Sequence, residues 1–444
     1  MYSISVPDEK HKYHVGELAK MFLPEDAFRI FVGQPDAELV IGAGGDYNGS
    51  KRKAYAFLKK ITGKDLDWGI LTGVRPGKLY NELKAKGADP EQVLKEQYYV
   101  SDEKIALLRR VSECQKTVKR SPDPKAAGLY IGIPFCPTRC QYCSFTSNTI
   151  TKPAATAYLV ALFKEMDAVR TIMDRSGRTA ESIYIGGGTP TSLDEEDLKA
   201  FLMKVRELFV NENTVEFTVE GGRPETITEG KLAIIKEAGA DRISINPQSM
   251  KQHTLDLIGR RHSPQQIREA FALADKAGIG VVNADLITGL PEETPEDFRE
   301  SLSEVIALGP ENITVHTLAV KRASRMIEED PGVALRQADN VRNMLEDADR
   351  MLTDAGFEPY YLYRQKHMAG NFENVGWCRP GTASLYNIRI MEEDQTIIAM
   401  GAGAISKVYF PAENRLERVP NVSNYEIYIE RIEEMIARKE AGIL

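Results

Sequence analysis

Between residues 129 and 318 the chain alternates two spacings of apolar positions. Short apolar runs recur at 129–133, 182–185, 215–219, 242–245, 280–286 and 312–318. Runs of this length, bounded by turn residues, read as strands of a buried parallel sheet. Between them the apolar positions fall three and four apart. Tyr158, Leu159, Leu162, Phe163, Met166, Val169 and Ile172 mark one helical face, and further helices are predicted over 195–208, 231–238, 265–277 and 295–308. Six strand–helix repeats predict an α/β fold, an open (β/α)6 partial barrel. A flat doubly wound sheet would give a similar pattern.

The flanks break this rhythm. Residues 1–120 read as a small α+β domain, with strands at 28–32 and 38–41 and helices over 51–61 and 102–118. Residues 68–80 are turn-rich and predicted to be a buried connector to the next domain. Residues 121–127, Ser-Pro-Asp-Pro-Lys-Ala-Ala, read as a linker. Beyond 325 the pattern predicts a C-terminal α+β extension: a helix over 333–355, a strand at 358–363 and a final helix over 425–438. Within it, a glycine-rich turn follows an apolar strand at 397–406. The expected division is therefore 1–120, a core over 128–325, and a covering region over 326–444.

Charge narrows the partners. The 444 residues carry 57 Lys and Arg against 65 Asp and Glu, a net charge of −8. A mildly acidic surface argues against nonspecific nucleic-acid binding. The opening run Met-Tyr-Ser-Ile-Ser-Val-Pro-Asp has no apolar signal core, and no stretch reaches the roughly 18 apolar residues of a membrane helix. Five cysteines in a chain this long do not make a disulfide framework, and a reducing cytoplasm is the expected location.

Three of those cysteines carry the chemistry. Cys136, Cys140 and Cys143 stand in one loop with C-x3-C-x2-C spacing, directly after the first predicted strand. Barrels of this kind do their chemistry at the C-terminal strand ends. A structural zinc site closes with four ligands, and Cys114 and Cys378 lie far away and alone. A four-iron, four-sulfur cluster held by three thiolates instead leaves one iron open. Gly186-Gly-Gly-Thr-Pro190 follows the second strand, where glycines let backbone approach a ligand or simply make a tight turn. Glu220, Gln248, Arg260 and Asp285 fall at or beyond later strand ends, so a barrel would converge them on one mouth.

On these residues the chain resembles the radical S-adenosylmethionine (SAM) superfamily. The resemblance implies that the open iron binds the amino and carboxylate groups of SAM, whose reductive cleavage gives methionine and a 5′-deoxyadenosyl radical. Tyr130-Ile-Gly-Ile-Pro-Phe-Cys136, the Gly186 run, Pro247-Gln-Ser249, Gly259-Arg-Arg-His262 and Asp285-Leu-Ile-Thr-Gly-Leu-Pro291 are together similar to the oxygen-independent coproporphyrinogen III dehydrogenase family. The similarity covers about residues 128–320, and 401–406 more loosely. The opening unit with residues 68–80 resembles the longer Gram-positive variant. By this resemblance Tyr130 contacts the methionyl group of SAM and Tyr142 its adenine, while Gly187, Gly188 and Thr189 hold its amino-acid end. Glu220, Gln248, Arg260 and Asp285 match its other polar contacts, and Ala319 and Ile405 match apolar positions near it. The implied reaction is oxidative decarboxylation of coproporphyrinogen III propionates to vinyl groups, giving protoporphyrinogen IX in haem biosynthesis. A flavodoxin or ferredoxin would supply the electron, and arginines would meet the tetrapyrrole carboxylates.

Two features depart from that pattern. The dehydrogenases of the family carry a fourth cysteine two places after the third, where this chain has Phe145. Phenylalanine there is typical of the related haem chaperones, which carry a His-Asn-x-x-Tyr-Trp motif further on. The nearest stretch here, Ala383-Ser-Leu-Tyr-Asn-Ile388, does not match it. Haem binding without turnover and a different radical reaction on haem are therefore the alternatives. An RNA-modifying role would need a basic opening domain, which the sequence lacks. His253, His262, His316 and His367 are candidates for a proton or a porphyrin. Cys378 beside Trp377 is a candidate hydrogen-atom donor or cluster ligand, or else a buried inert thiol.

Overall fold

The computed structural model describes residues 1–118, 123–143, 148–319, 337–365 and 369–444. Its first unit places β1 (Tyr2–Val6) between β2 (Phe28–Val32) and β3 (Leu39–Val40), all parallel. Helices Glu9–Ala19 and Tyr47–Thr62 pack on this sheet through Val15, Leu18, Ala54 and Leu58. Asp8 and Asp46 cap them by accepting from the His11 and Gly49 amides. Neither β1 nor the first helix is predicted from the pattern. Tyr2–Val6 is a single short alternation, and His and Lys dilute the apolar face of Glu9–Ala19.

All six predicted runs are strands of one larger sheet. After β4 (Ala126–Ile133) the chain makes a two-residue clasp, β5 (Phe135–Cys136) against β6 (Asn148–Thr149), across the cysteine loop. The remaining parallel strands are β7 (Thr179–Gly187), β8 (Glu216–Glu220), β9 (Arg242–Ser244), β10 (Val281–Thr288) and β11 (Asn312–Thr317). They lie side by side in chain order from β4 to β11, apart from the clasp, with the predicted helices between them. Ser263 and Thr294 open two of these helices with capping boxes.

The C-terminal region joins this sheet rather than forming a layer of its own. β12 (Glu358–Arg364) and β13 (Glu373–Cys378) add antiparallel strands beyond β11. At the other edge β14 (Thr396–Met400) runs parallel to β4, and the hairpin of β15 (Ile405–Phe410) and β16 (Arg415–Pro420) follows. The result is an 11-stranded sheet with β12 and β16 at its open edges. Helix Leu385–Glu392 contacts both β7 and β12, which lie far apart in strand order, so the sheet must curl around it. Tyr386 on this helix stacks on Tyr184 at 4.7 Å and 18°. Buried Glu216 accepts from the Ser384 hydroxyl and the Leu385 and Tyr386 amides, satisfying groups the helix start leaves without partners.

The predicted buried connector over 68–80 is buried at 68–71, 76, 77 and 80, whereas Gly73 and Val74 are exposed and Pro76–Ala85 is helical rather than a run of turns. The Trp68 indole donates to Glu373 at 2.7 Å, and the Arg364 guanidinium sits 5.2 Å above its ring. Of the predicted helix over 333–355, residues 337–355 are described, and they hold the helix Ala338–Asp354 between its caps Gln337 and Ala355. Phe145 and His367 lie outside the described residues. Among the described residues, no helix is long and apolar enough to cross a membrane.

Candidate active site at the strand ends

A cavity of about 350 Å³ opens at the C-terminal ends of the parallel strands. Twelve of the fourteen predicted site positions line it: Cys136, Cys140, Cys143, Tyr142, Gly187, Gly188, Thr189, Glu220, Gln248, Arg260, Asp285 and Ala319. Tyr130 is half-buried beside the wall without lining it. A Cβ on Gly186 would lie 3.3 Å from its ring, and the ring stacks on Tyr184 at 6.4 Å. Ile405 is the exception. The chain reverses after β14 through a turn at 401–404, so Ile405 begins the antiparallel hairpin 46% exposed and does not line the cavity.

The glycine run is built to lie against the cysteine loop. The Gly188 amide donates to the Ile133 carbonyl and the Thr189 amide to the Phe135 carbonyl, both at 2.7 Å. A Cβ on Gly188 would come within 2.4 Å of the Phe135 carbonyl oxygen, and Gly187 holds φ of +106°. Both positions therefore demand glycine, the first by close approach and the second by backbone conformation. The Thr189 hydroxyl reaches Cys136 Sγ at 3.4 Å.

The opposite wall is electrostatically divided. Burial raises the Glu220 carboxyl to about 7, and neighbouring Asp285 adds to the shift. The Tyr184 hydroxyl, 3.1 Å away, and the Gly187 amide oppose it. Burial alone would raise Asp285 as well. Its contacts with His316, Asn283 and Thr314 outweigh this and hold it below the usual carboxylate range. Gln248 adopts φ of +68°, a left-handed conformation that a non-glycine residue rarely takes. Its amide donates to the Asp285 carbonyl at 2.8 Å, and its buried Oε1 has no hydrogen-bond partner. Arg260 donates to the Asn246 and Gly222 carbonyls and, at 3.2 Å, to the Tyr142 hydroxyl, leaving its Nε unpartnered.

The other candidates separate clearly. His316 lines the cavity, 3.5 Å from Asp285 and 3.4 Å from the Tyr363 hydroxyl. His262 is fully buried outside it, against Glu225 at 3.1 Å. His253 is exposed and pairs with Glu292. Cys378 sits on β13 with its sulfur 4.0 Å from that of Cys114 and does not line this cavity, which removes it as a hydrogen-atom donor or cluster ligand at this site. Sequence reasoning missed Arg223. This residue is 2% exposed and donates to Cys140 Sγ at 3.0 Å.

The donor set fits an iron–sulfur cluster with an open corner and a polar, zwitterionic ligand. Three thiols line one cavity, an arginine meets one of them, and a glycine cradle stands beside the loop. A buried acceptor and a buried donor wait unpartnered on the facing wall. Among the described residues, no three His, Cys, Asp or Glu side chains are already gathered into a metal-ligating group.

Comparison with known proteins agrees with this chemistry. Residues 130–305 match the Radical SAM superfamily. The chain is 41% identical over 393 residues to the oxygen-independent coproporphyrinogen-III oxidase-like protein HemZ of Bacillus subtilis, covering 86% of this chain and 78% of that one. It is 29% identical over 284 residues to the heme chaperone HemW of Escherichia coli, covering 64% and 70%. Among solved structures, coproporphyrinogen III oxidase HemN from Escherichia coli superposes with a TM-score of 0.54 at 24% identity, covering 72% of each chain. That match establishes the fold.

Proposed function

The chain belongs to the radical SAM family of oxygen-independent coproporphyrinogen-III oxidase-like proteins, and on that premise we propose that it decarboxylates propionate side chains of a coproporphyrinogen. The single observation that supports this most is one cavity joining the three-cysteine loop to Glu220, Gln248, Arg260 and Asp285 in a chain 41% identical to such a protein. The family's cofactors are a four-iron, four-sulfur cluster and SAM. When bound, they would supply a 5′-deoxyadenosyl radical able to take a hydrogen atom from the propionate β-carbon, after which the carboxylate would leave as carbon dioxide and the remaining electron would pass to a one-electron acceptor, leaving a vinyl group.

In this reading Cys136, Cys140 and Cys143 hold three irons. The Gly187–Gly188 backbone admits the amino-acid end of SAM, where a larger residue would fill the space. The Gln248 Oε1 accepts from an ammonium or hydroxyl, and Arg260, braced by two carbonyls, keeps Tyr142 turned toward the cavity. Asp285, held below the usual carboxylate range, supplies the fixed negative charge for a cationic, hydroxyl-bearing ligand, and Glu220, raised to about 7, supplies a carboxyl beside it that such a ligand would draw into its charged form. His316 is the histidine among the described residues that can meet the substrate side of the cavity. The protein works in the cytoplasm, with a flavodoxin or ferredoxin as electron donor.

The HemW relatives favour a second reading, in which the chain binds haem and leaves it unchanged. Against it, residues 385–388 begin the helix around which the sheet curls, capped by Ser384, and present no histidine. An anaerobic assay of reconstituted protein with SAM, dithionite and coproporphyrinogen III separates the two. Protoporphyrinogen formed in step with 5′-deoxyadenosine is the expected result. Deoxyadenosine without tetrapyrrole turnover, together with stoichiometric haem binding, would overturn the decarboxylase reading.

A further inference from the structure

Beyond β8 the chain turns through Gly221-Gly222-Arg223-Pro224, and the Arg223 side chain reaches back to the cysteine loop. Its Nη2 donates to Cys140 Sγ at 3.0 Å and to the Thr138 carbonyl at 2.8 Å. Its Nη1 meets Glu225 Oε1 at 3.4 Å. The second oxygen of Glu225 meets His262 Nδ1 at 3.1 Å. Two separate turns thus fix one planar guanidinium against one sulfur. Cys136 has a different neighbour, the neutral Thr189 hydroxyl at 3.4 Å.

We propose that Arg223 is a positioning residue for the iron–sulfur cluster: it holds the Cys140 sulfur through a charge-assisted contact and thereby raises the cluster's reduction potential, with Glu225 and His262 fixing the guanidinium. The inference rests on the reading that Cys140 is a cluster ligand. Reduction adds negative charge to the cluster and its thiolates, so a hydrogen-bond donor and fixed cation at a ligand sulfur favour the reduced form. Arginine suits this role because it stays charged at every working pH and its rigid fork serves sulfur, carbonyl and carboxylate together. Lysine is a point charge on a flexible stem and cannot span all three.

The test is a redox titration of reconstituted protein without SAM, followed by electron paramagnetic resonance, on wild type, Arg223→Gln and Arg223→Lys. Iron and sulfide content and circular dichroism are measured on the same samples. The expected result for Arg223→Gln is a more negative midpoint by at least tenfold in the reduction equilibrium, about 59 mV for one electron. Arg223→Lys, retaining the charge without the fork, should fall between. If Arg223→Gln folds but fails to assemble a cluster, a lowered midpoint in Arg223→Lys still supports the proposal. A full cluster with an unchanged midpoint in both variants overturns it. Cys140→Ala isolates the underlying reading: a variant that keeps its cluster refutes Cys140 as a ligand, whatever Arg223 does.

Discussion

The raised Glu220 carboxyl makes a quantitative prediction for the protein free of cofactor. Folding moves this group from 4.5 to about 7, chiefly by burial and secondarily through Asp285. Between those values the folded chain holds more protons than the unfolded one. Its stabilising contribution is complete below 4.5 and is lost as pH rises through about 7. At about 1.4 kcal/mol per pH unit the difference is worth about 3 kcal/mol. This is a ceiling, because Glu220 faces a cavity and retains part of its solvent contact. Glu220→Gln imitates the protonated form and can still accept from the Tyr184 hydroxyl. Urea unfolding of wild type and variant should be compared at about pH 4.5 and about pH 8, with Trp377 on β13 as the buried fluorescent probe of the sheet. The variant should gain on the wild type by up to about 3 kcal/mol as pH rises. Stability profiles that stay parallel across this range would refute the buried-carboxyl argument.

Three further outcomes follow from the same geometry. Gly188→Ala forces a Cβ to within 2.4 Å of the Phe135 carbonyl oxygen, so equilibrium dialysis should show SAM binding lost while circular dichroism retains the fold. Gln248→Gly removes both a left-handed strain and the orphaned Oε1. It should be stabilised by roughly 1–2 kcal/mol yet bind SAM more weakly, and an unchanged affinity would exclude Gln248 from the site. Lys439 and Glu165 form a fully buried pair at 2.6 Å, and Glu165 also accepts from the Gly401 amide and the Tyr428 hydroxyl. Lys439→Met leaves that carboxylate unpaired, and denaturant unfolding should show a loss of about 3–5 kcal/mol that Glu165→Gln in the same chain largely restores.

What the sequence revealed, and what it concealed, follow from the range of the interactions involved. β4 and the strands from β7 to β11 were legible because each is a short apolar run set in alternation with helices, a pattern contained within about thirty residues, whereas the two-residue clasp of β5 and β6 carries no such run. The joining of β14 to β4 was not, since Thr396 pairs with Ala127 and nothing local distinguishes a strand that extends the sheet from one that starts another. The cavity residues divide in the same way. Cys136, Gly188 and Glu220 sit in or beside strand ends and Asp285 lies within β10, which runs three residues beyond it, yet all four fall in motifs where a resemblance can be carried over position by position. Ile405 stands off the cavity wall because the 401–404 turn sets which face β15 presents, and spacing does not fix that turn. Arg223 was missed because its partner, Cys140, lies 83 positions away. Chemistry could still have found it. An arginine in a turn just beyond the strand that delivers Glu220 to the cavity is costly to bury unless an anion or a sulfur is there to receive it. That same cost makes the Arg223–Cys140 contact a better guide to function than the apolar pattern that built the sheet around it.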